Sequence, residues 1–171
     1  MRTAKVVVLP YDAVWHEQFE AIKKELKAVL SGYVLDIHHV GSTSVVGMWA
    51  KPCIDIDVVI EDDSSFALVV NALATIGYFH EGDLGIKGRE AFGYVGKEHL
   101  QKHHLYVCAK DSEELHRHLT FRNYLREHSD AVQAYSEVKK NAARLYPDDI
   151  DCYMAYKSPC IEDLYQKCGL K

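Results

Sequence analysis

The chain has 171 residues, of which 48% are apolar and 26% charged, a balance typical of a folded globular protein and not of a disordered one. Its formal net charge is −5, so it lacks the overall basic character that marks many nucleic-acid-binding domains. No apolar run approaches the roughly 20 residues of a membrane-spanning helix, and no secretory leader is recognisable, so we expect a cytoplasmic protein that does not enter the membrane.

The first half of the chain predicts helices and strands in alternation. After an apolar arm or short strand over residues 5–9, a helix is expected from Asp12, a plausible N-cap, to a stop at Gly32. Its apolar residues recur at three- and four-residue steps: Trp15, Phe19, Ile22, Leu26 and Leu30. The remaining elements predicted in this half are strands over 33–40 and 53–60 and a helix over 64–76.

The second half begins with short strands and continues as helices. A mobile Gly-rich loop, EGDLGIKG, separates the first two of three antiparallel strands, expected over 78–81, 89–95 and 103–108. Asp111 and Glu114 resemble a capping box that opens a helix to about His128. A second helix is expected over 130–145 and one or two more within 148–168. The order predicts an α+β fold, with an α/β core over residues 1–110 and a helical subdomain over 111–171 packed on it as a single compact unit.

Two aspartates stand one residue apart in an apolar strand, in the run CIDIDVVI. Alternate side chains of a strand share a face, so Asp55 and Asp57 point one way while Ile54, Ile56 and Val58 point into the core. Two ionised carboxylates at that spacing repel each other, and a bound divalent cation relieves the repulsion. Mg²⁺ is commonly held by one or two carboxylates together with substrate phosphates.

A small-residue turn, GSTS, precedes the aspartates by about a dozen residues. Gly41 would let backbone amides approach a phosphate, while Ser42, Thr43 and Ser44 add hydroxyl donors. Taken singly, the turn is explained as an ordinary polar turn and the aspartates as a solvated strand edge. Together they favour phosphoryl or nucleotidyl transfer.

The stretch HHVGSTSVVGMWAKPCIDIDVVI resembles the GrpB-like family of the DNA polymerase β-type nucleotidyltransferase superfamily. The family pattern reads roughly HVGSTSVPGLxAKPIIDIxV. Further landmarks extend the resemblance along nearly the whole chain: PYDAVW, GREAFGY, HHLYV, FRNYLREH and the pair Tyr153 and Lys157. A related domain also occurs fused to dephospho-CoA kinase in some bacteria.

The resemblance implies a nucleotidyltransferase-like mixed sheet flanked by helices. Asp55 and Asp57 would hold Mg²⁺ or Mn²⁺ against a nucleoside triphosphate, and Gly41 and Ser42 would contact its phosphates. Such enzymes normally supply a third carboxylate from a later strand, but HHLYVC carries none. By alternation, His104 and Tyr106 occupy the face expected for it, with His104 a metal or phosphate ligand. The nearest alternative carboxylate is Glu90.

Other basic residues are candidates for phosphate contacts. Lys51 precedes the aspartate strand, Arg89 follows the Gly-rich loop, and Arg122 shares a helical face with Arg126, a turn after His118. Each is also explained as a surface charge or a member of an ion pair, an explanation that the sequence favours most for Arg126. Four residues that resemble family positions are interpreted as helix packing: Tyr135, Lys139, Tyr153 and Lys157.

The sequence does not predict a zinc site. The adjacent histidines 38/39 and 103/104 point to opposite faces of their strands, so neither pair can chelate one ion. The five cysteines form no CxxC pair, and we expect reduced, mostly structural thiols.

The sequence is compatible with three functions. The leading hypothesis is a Mg-dependent nucleotidyltransferase that uses a nucleoside triphosphate and an unknown acceptor. The alternative is a nucleotide- or CoA-like-ligand-binding module of the same fold that has lost turnover, which the missing third carboxylate favours. The third is a structural interaction protein with no ligand. The sequence leaves the base, the acceptor and the oligomeric state open.

Overall fold

The computed structural model describes residues 5–170, which form one five-stranded mixed sheet covered by helices. The order of strands across the sheet is β1-β2-β5-β4-β3. The central pair, β2 and β5, runs parallel, and the other neighbours are antiparallel. The strands are β1 (Asp36–Val40), β2 (Ile54–Ile60), β3 (Tyr78–Gly82), β4 (Glu90–Tyr94) and β5 (His103–Ala109).

Five α-helices accompany the sheet, and three of them follow its last strand. They are α1 (Val14–Leu30), α2 (Phe66–Ala74), α3 (Glu113–Glu127), α4 (Ser129–Leu145) and α5 (Ile150–Lys167). The predicted α+β class, with a mixed sheet and a helical C-terminal part, is confirmed. Within residues 5–170, none of these helices is long and apolar enough to cross a bilayer.

The main apolar core lies between one face of the sheet and the helices α1 and α2. The predicted stripe of α1 is buried in full, and three side chains of β2 meet this core without measurable exposure: Ile54, Ile56 and Val58. Burying one aliphatic side chain of this size contributes roughly 1.5–3 kcal/mol. The even-numbered residues of β2 are therefore committed to the α1/α2 side, and the odd-numbered residues must face the other way.

The helices α3, α4 and α5 join the opposite face through smaller apolar clusters. Val59 and Cys108 of the sheet contact Leu115 of α3, and Val6 of the N-terminal arm packs with Ala142 and Tyr153. A third cluster joins residues that follow β1 to all three helices: Val45, Met48, Leu125, Ala131, Val132, Tyr135 and Leu164. The C-terminal helices thus share buried surface with the sheet, whereas the boundary at residue 110 remains a prediction.

Two local expectations differ from the structure. Ser112, not Asp111, caps α3, because its hydroxyl accepts a hydrogen bond from the Leu115 amide at 3.3 Å and donates one to the Gly88 carbonyl at 2.8 Å. The strand predicted over residues 33–40 is shorter in the structure, since β1 begins only at Asp36. The last segment, where one or two helices are expected, is the single helix α5, which accommodates Pro159 in its interior.

A buried histidine connects α1 to the strand β1. The ring of His39 stacks on Phe19, with 4.7 Å between ring centroids, and its Nε2 lies 2.8 Å from the Thr43 hydroxyl in a hydrogen bond. Burial lowers the pKa of His39 to about 4. The imidazole is therefore neutral in the folded protein at physiological pH.

We predict that His39 makes the fold sensitive to mild acid. An unfolded imidazole has a pKa near 6.5, so below that pH the unfolded state binds more protons and stability falls until the folded pKa of about 4 is reached. Between pH 7 and pH 5 this costs about 2 kcal/mol of unfolding free energy. In His39→Gln, urea denaturation should show a loss smaller by about that amount. An unchanged difference between the two pH values would contradict the prediction.

Candidate functional site

The parallel pairing of β2 with β5 places two aspartates and two aromatic side chains on the face below the C-terminal helices. The register sets Asp55 opposite His104 and Asp57 opposite Tyr106. His104 donates a hydrogen bond from Nδ1 to Asp55 Oδ1 at 2.9 Å. This bond, followed by one with Cys53, raises the pKa of His104 to about 9. His104 is therefore an imidazolium that neutralises Asp55.

Asp57 lies deeper and has a histidine of its own. It is fully buried, and His118 of α3 donates from Nδ1 to its Oδ2 at 2.6 Å. Burial lowers the pKa of His118, but the hydrogen bond and charge of Asp57, with the charge of Glu114, outweigh burial and leave the pKa raised. The other carboxylate oxygen of Asp57, Oδ1, is buried without a hydrogen-bond partner in residues 5–170.

The predicted turn sits directly against Asp55. Gly41 has φ +74°, and a Cβ at that position would lie 2.3 Å from Asp55 Oδ2, so no larger residue fits. The Ser44 hydroxyl donates to the Gly41 carbonyl at 2.5 Å and closes the turn on itself. Ser42 and Thr43, by contrast, line the neighbouring cavity.

This cavity has a volume of about 610 Å³ and is rich in lysine. Asp55 is the one carboxylate among the described residues that line it, and Cys53 and His104 border it beside Asp55. The lysines come from the N-terminal arm, the segments that lead into β2 and β5, and the helices α4 and α5: Lys5, Lys51, Lys102, Lys139 and Lys157. Such an excess of cations over anions favours an anionic ligand.

Two of these lysines are nearly buried. Lys139 is 2% exposed, and its Nζ donates to the Ser42 hydroxyl and, at 3.1 Å, to the Trp49 carbonyl. Burial, followed by the charge of Lys157, lowers the pKa of Lys139 well below its ordinary value. Burial, followed by the charge of Lys51, lowers the pKa of Lys157 to about 8. Both amines have lost hydration that an anion could replace.

Sequence reasoning interpreted Lys139 and Lys157 as packing residues and missed their place in the cavity. A signal was available in the repeated spacing Tyr-x-x-x-Lys, which puts a tyrosine and a lysine on one helical face. In the structure Lys139 Nζ lies 4.2 Å from the ring centroid of Tyr135, and Lys157 Nζ lies 4.6 Å from that of Tyr153. Each tyrosine is buried, and its ring packs against the amine of its lysine.

The other predicted basic residues occupy different places. Lys51 lines the cavity, whereas the described lining includes neither Arg89 nor Arg122. The Arg89 guanidinium stacks over Tyr106 at 4.1 Å. Arg122 donates from Nη1 to the His39 carbonyl at 3.0 Å and so braces β1 just before the GSTS turn.

Glu90, considered as a third carboxylate, does not join the pair. It is registered with Val107, whose side chain belongs to the α1/α2 core, and directly paired residues share a face. Glu90 accepts a hydrogen bond from His80 at 3.0 Å on that side. The alternative is therefore wrong, because the register sends the side chain to the opposite face from Asp55 and Asp57.

The described chain contains one group of three side chains with metal-ligating atoms close together, Cys53, Asp55 and His104. These atoms lie within 4.8 Å of one another. Cys53 was expected to be a structural thiol, and no local motif joins it to His104. Asp57 is outside the group, although it shares the face of β2 with Asp55.

Comparison with known proteins identifies the family. A family model described as GrpB protein matches residues 5–167. The protein YqkA of Bacillus subtilis is 34% identical over 158 residues, which cover 92% of this chain but 46% of YqkA. This chain thus spans about half the length of that relative.

Two solved structures resemble this chain, at different levels of similarity. The crystal structure of the conserved protein GrpB from Enterococcus faecalis is 35% identical, covers 94% of this chain and 98% of its own, and has a TM-score of 0.79. The Cid1 poly(U) polymerase, solved with MgATP, is 10% identical over 80% of this chain and 44% of its own, with a TM-score of 0.56, and shows a shared fold alone. Since the family model extends over nearly all of the sequence, the chain belongs to the GrpB family.

Proposed function

We propose that the cavity binds the phosphates of a nucleoside triphosphate and that Asp55 and Asp57 hold Mg²⁺, or Mn²⁺, beside them. The observation that carries the proposal is the convergence of five lysines on a cavity with one described carboxylate, Asp55. Ammonium groups bind phosphates as point charges, and a triphosphate supplies enough negative charge to answer several of them.

The nearest contacts of the triphosphate follow from the lining of the cavity. Ser42 and Thr43 offer hydroxyls from the turn, while Lys139 and Lys157 offer amines from α4 and α5. Lys51 extends the cationic lining on the side of the sheet. In this proposal Arg122 acts indirectly, because its bond to the His39 carbonyl holds the strand that leads into the turn.

The aspartates suit a divalent cation, with a rearrangement of their present partners. They alternate on β2, and Asp57 Oδ1 is a buried acceptor without a partner in residues 5–170. Asp55 and Asp57 would hold the cation in place of their hydrogen bonds to His104 and His118, and the two positive charges of the ion would replace those of the two imidazolium rings. When bound, Mg²⁺ would neutralise phosphate charge and polarise the α-phosphate.

Nucleotidyl transfer to an unidentified acceptor is the first candidate reaction, and the fold shared with Cid1 supports it. An acceptor oxygen attacks the α-phosphorus, the bond from that phosphorus to the bridging oxygen breaks, and pyrophosphate leaves with the electron pair. The acceptor's proton passes to solvent. The role of the chain's residues is to place the phosphates and to withdraw charge from them.

A binding module without turnover is the second candidate, and a specific observation favours it. Opposite Asp55 and Asp57, β5 presents His104 and Tyr106, while Glu90 faces the other side of the sheet. Neither β4 nor β5 therefore supplies a third carboxylate to this face. A module of this kind would bind a nucleotide or a CoA-like ligand through the same phosphate contacts.

We predict that Asp55→Asn and Lys139→Met each weaken Mg-ATP binding by at least about tenfold, or 1.4 kcal/mol, in calorimetric titrations. The first change removes a charge on the metal side and the second a cation on the phosphate side. Matched controls are Asp63→Asn, an exposed aspartate beyond the far end of β2, and Lys140→Met, the neighbour of Lys139 on α4. Equal affinity in wild type and both test variants would contradict the proposal.

Turnover is tested separately with α-labelled nucleoside triphosphates and a pool of metabolites or proteins. Label transfer that disappears in Asp55→Asn supports the transferase. Tight binding without a labelled product in any pool supports the binding module.

We also predict that Lys157 makes the binding of triphosphate dependent on pH. Its ammonium faces Lys51, Lys139, Asp55 and the ring of Tyr153, and with a pKa of about 8 it loses its proton as the pH rises from 7.5 to 9. Mg-ATP affinity should therefore fall by nearly tenfold over this range.

The variant Lys157→Arg keeps its charge throughout this range, so its affinity should change much less with pH. The measurement is the same calorimetric titration at pH 7.5 and 9. Parallel pH profiles for wild type and Lys157→Arg would show that another group is responsible.

A further inference from the structure

We infer that Cys53, Asp55 and His104 form a binding site for a borderline transition-metal ion of the Zn²⁺ class. This site is chemically different from the Mg²⁺ site proposed for the two aspartates, and its existence does not depend on nucleotide binding.

The backbone brings the three donors together. Cys53 and Asp55 alternate along the extended chain that becomes β2, so their side chains share a face, and the register with β5 places His104 directly opposite Asp55. The three ligating atoms lie within 4.8 Å of one another. In a tetrahedral zinc site with bonds of about 2.0–2.3 Å, ligand atoms are about 3.5 Å apart, so small side-chain movements complete the geometry.

The donor set determines which ion is preferred. Mg²⁺ takes oxygen ligands almost exclusively, whereas a thiolate with an imidazole and a carboxylate is a typical set for zinc and cobalt. On binding, the ion displaces to solvent one proton from the His104 imidazolium and the proton of the Cys53 thiol, so that a neutral imidazole and a thiolate face it. The thiolate of Cys53 and the carboxylate of Asp55 then supply two negative charges, which match the charge of the ion. This balance offsets repulsion from the lysines of the same cavity.

Two further features support a metal at this position. His104 has a buried Nε2 that finds no hydrogen-bond partner among the described residues, so its ring is incompletely satisfied in the present arrangement. Gly41 leaves room for the Asp55 carboxylate, since a Cβ there would lie 2.3 Å from Oδ2, and His104 holds Oδ1 of the same carboxylate at 2.9 Å, so this ligand is already oriented. Restricted ligands lose little freedom when they coordinate a metal.

The site would also be open. Three protein ligands leave a fourth position, and all three border the 610 Å³ cavity. An open coordination position next to an anion-binding cavity lets a water or a ligand oxygen bind the ion. Because the site uses Asp55, its occupancy by zinc would remove this carboxylate from any shared magnesium site.

The test uses the full chain, reduced with a non-thiol reductant, and titrates it with Co²⁺ and then Zn²⁺ alone. We expect one ion per chain, a thiolate-to-cobalt charge-transfer band in the near ultraviolet, and displacement of cobalt by zinc. Cys53→Ser should lose the band and weaken zinc binding by at least about tenfold. His104→Gln should weaken binding similarly while keeping the thiolate band at saturating cobalt.

Cys168→Ser is the matched control, since it removes a thiol just beyond the end of α5 and should bind like wild type. Circular dichroism confirms that each variant is folded. The inference is overturned if wild type shows no thiolate-to-cobalt band, or if folded Cys53→Ser keeps the band and the zinc affinity of wild type.

Discussion

The parallel pairing between β2 and β5 is the interaction on which the site depends. These two strands lie at the centre of the sheet, and their paired residues Asp55 and His104 are 49 positions apart in the sequence. The register of the two strands decides which side chains meet below the C-terminal helices. A slip of one residue would turn Leu105 and Val107 out of the core and would bring His103, now buried against Tyr78, towards Asp55. The apolar core therefore fixes the polar site on its reverse side.

The same arrangement explains why α3 is part of the site and not a mere cover. A fully buried carboxylate such as Asp57 is costly unless a partner compensates its charge, and the cost of leaving it alone is several kcal/mol. His118, on the face of α3 that meets the sheet, provides this partner at 2.6 Å, and Glu114 lies 3.4 Å from its other ring nitrogen. The packing of α3 on the sheet therefore also brings in the histidine that neutralises Asp57.

Local patterns in the sequence predicted those parts of the fold that depend on neighbouring residues. The stripe of α1 and the alternation of β2 are periodicities of a single segment, and both emerged as predicted. The proximity of Cys53 and His104 depends on the register of two distant strands, which alternation cannot supply. Likewise, spacing on α4 shows that Tyr135 and Lys139 share a face but not that this face meets a cavity.

Local sequence patterns also cannot decide which of two adjacent residues caps a helix. Asp111 and Ser112 can both cap a helix, and the carbonyl of Gly88, which accepts a bond from Ser112, favours the second. The same limit applies to the basic residues. Arg122 looks from its spacing like a phosphate ligand, but a backbone carbonyl of β1 holds it.

The lysines of the cavity carry one more consequence, which concerns cohesion between layers. Lys51 and Lys102 belong to the sheet side, whereas Lys139 and Lys157 project from α4 and α5, so like charges face each other across the gap. The apolar clusters, the pair of His118 with Asp57 and hydrogen bonds such as that from Lys139 to the Trp49 carbonyl hold the layers together against this repulsion. An anion bound between the two layers would attract the lysines of both, so that the net interaction across the cavity would become attractive. The bound anion would then stabilise the packing of the C-terminal helices on the sheet.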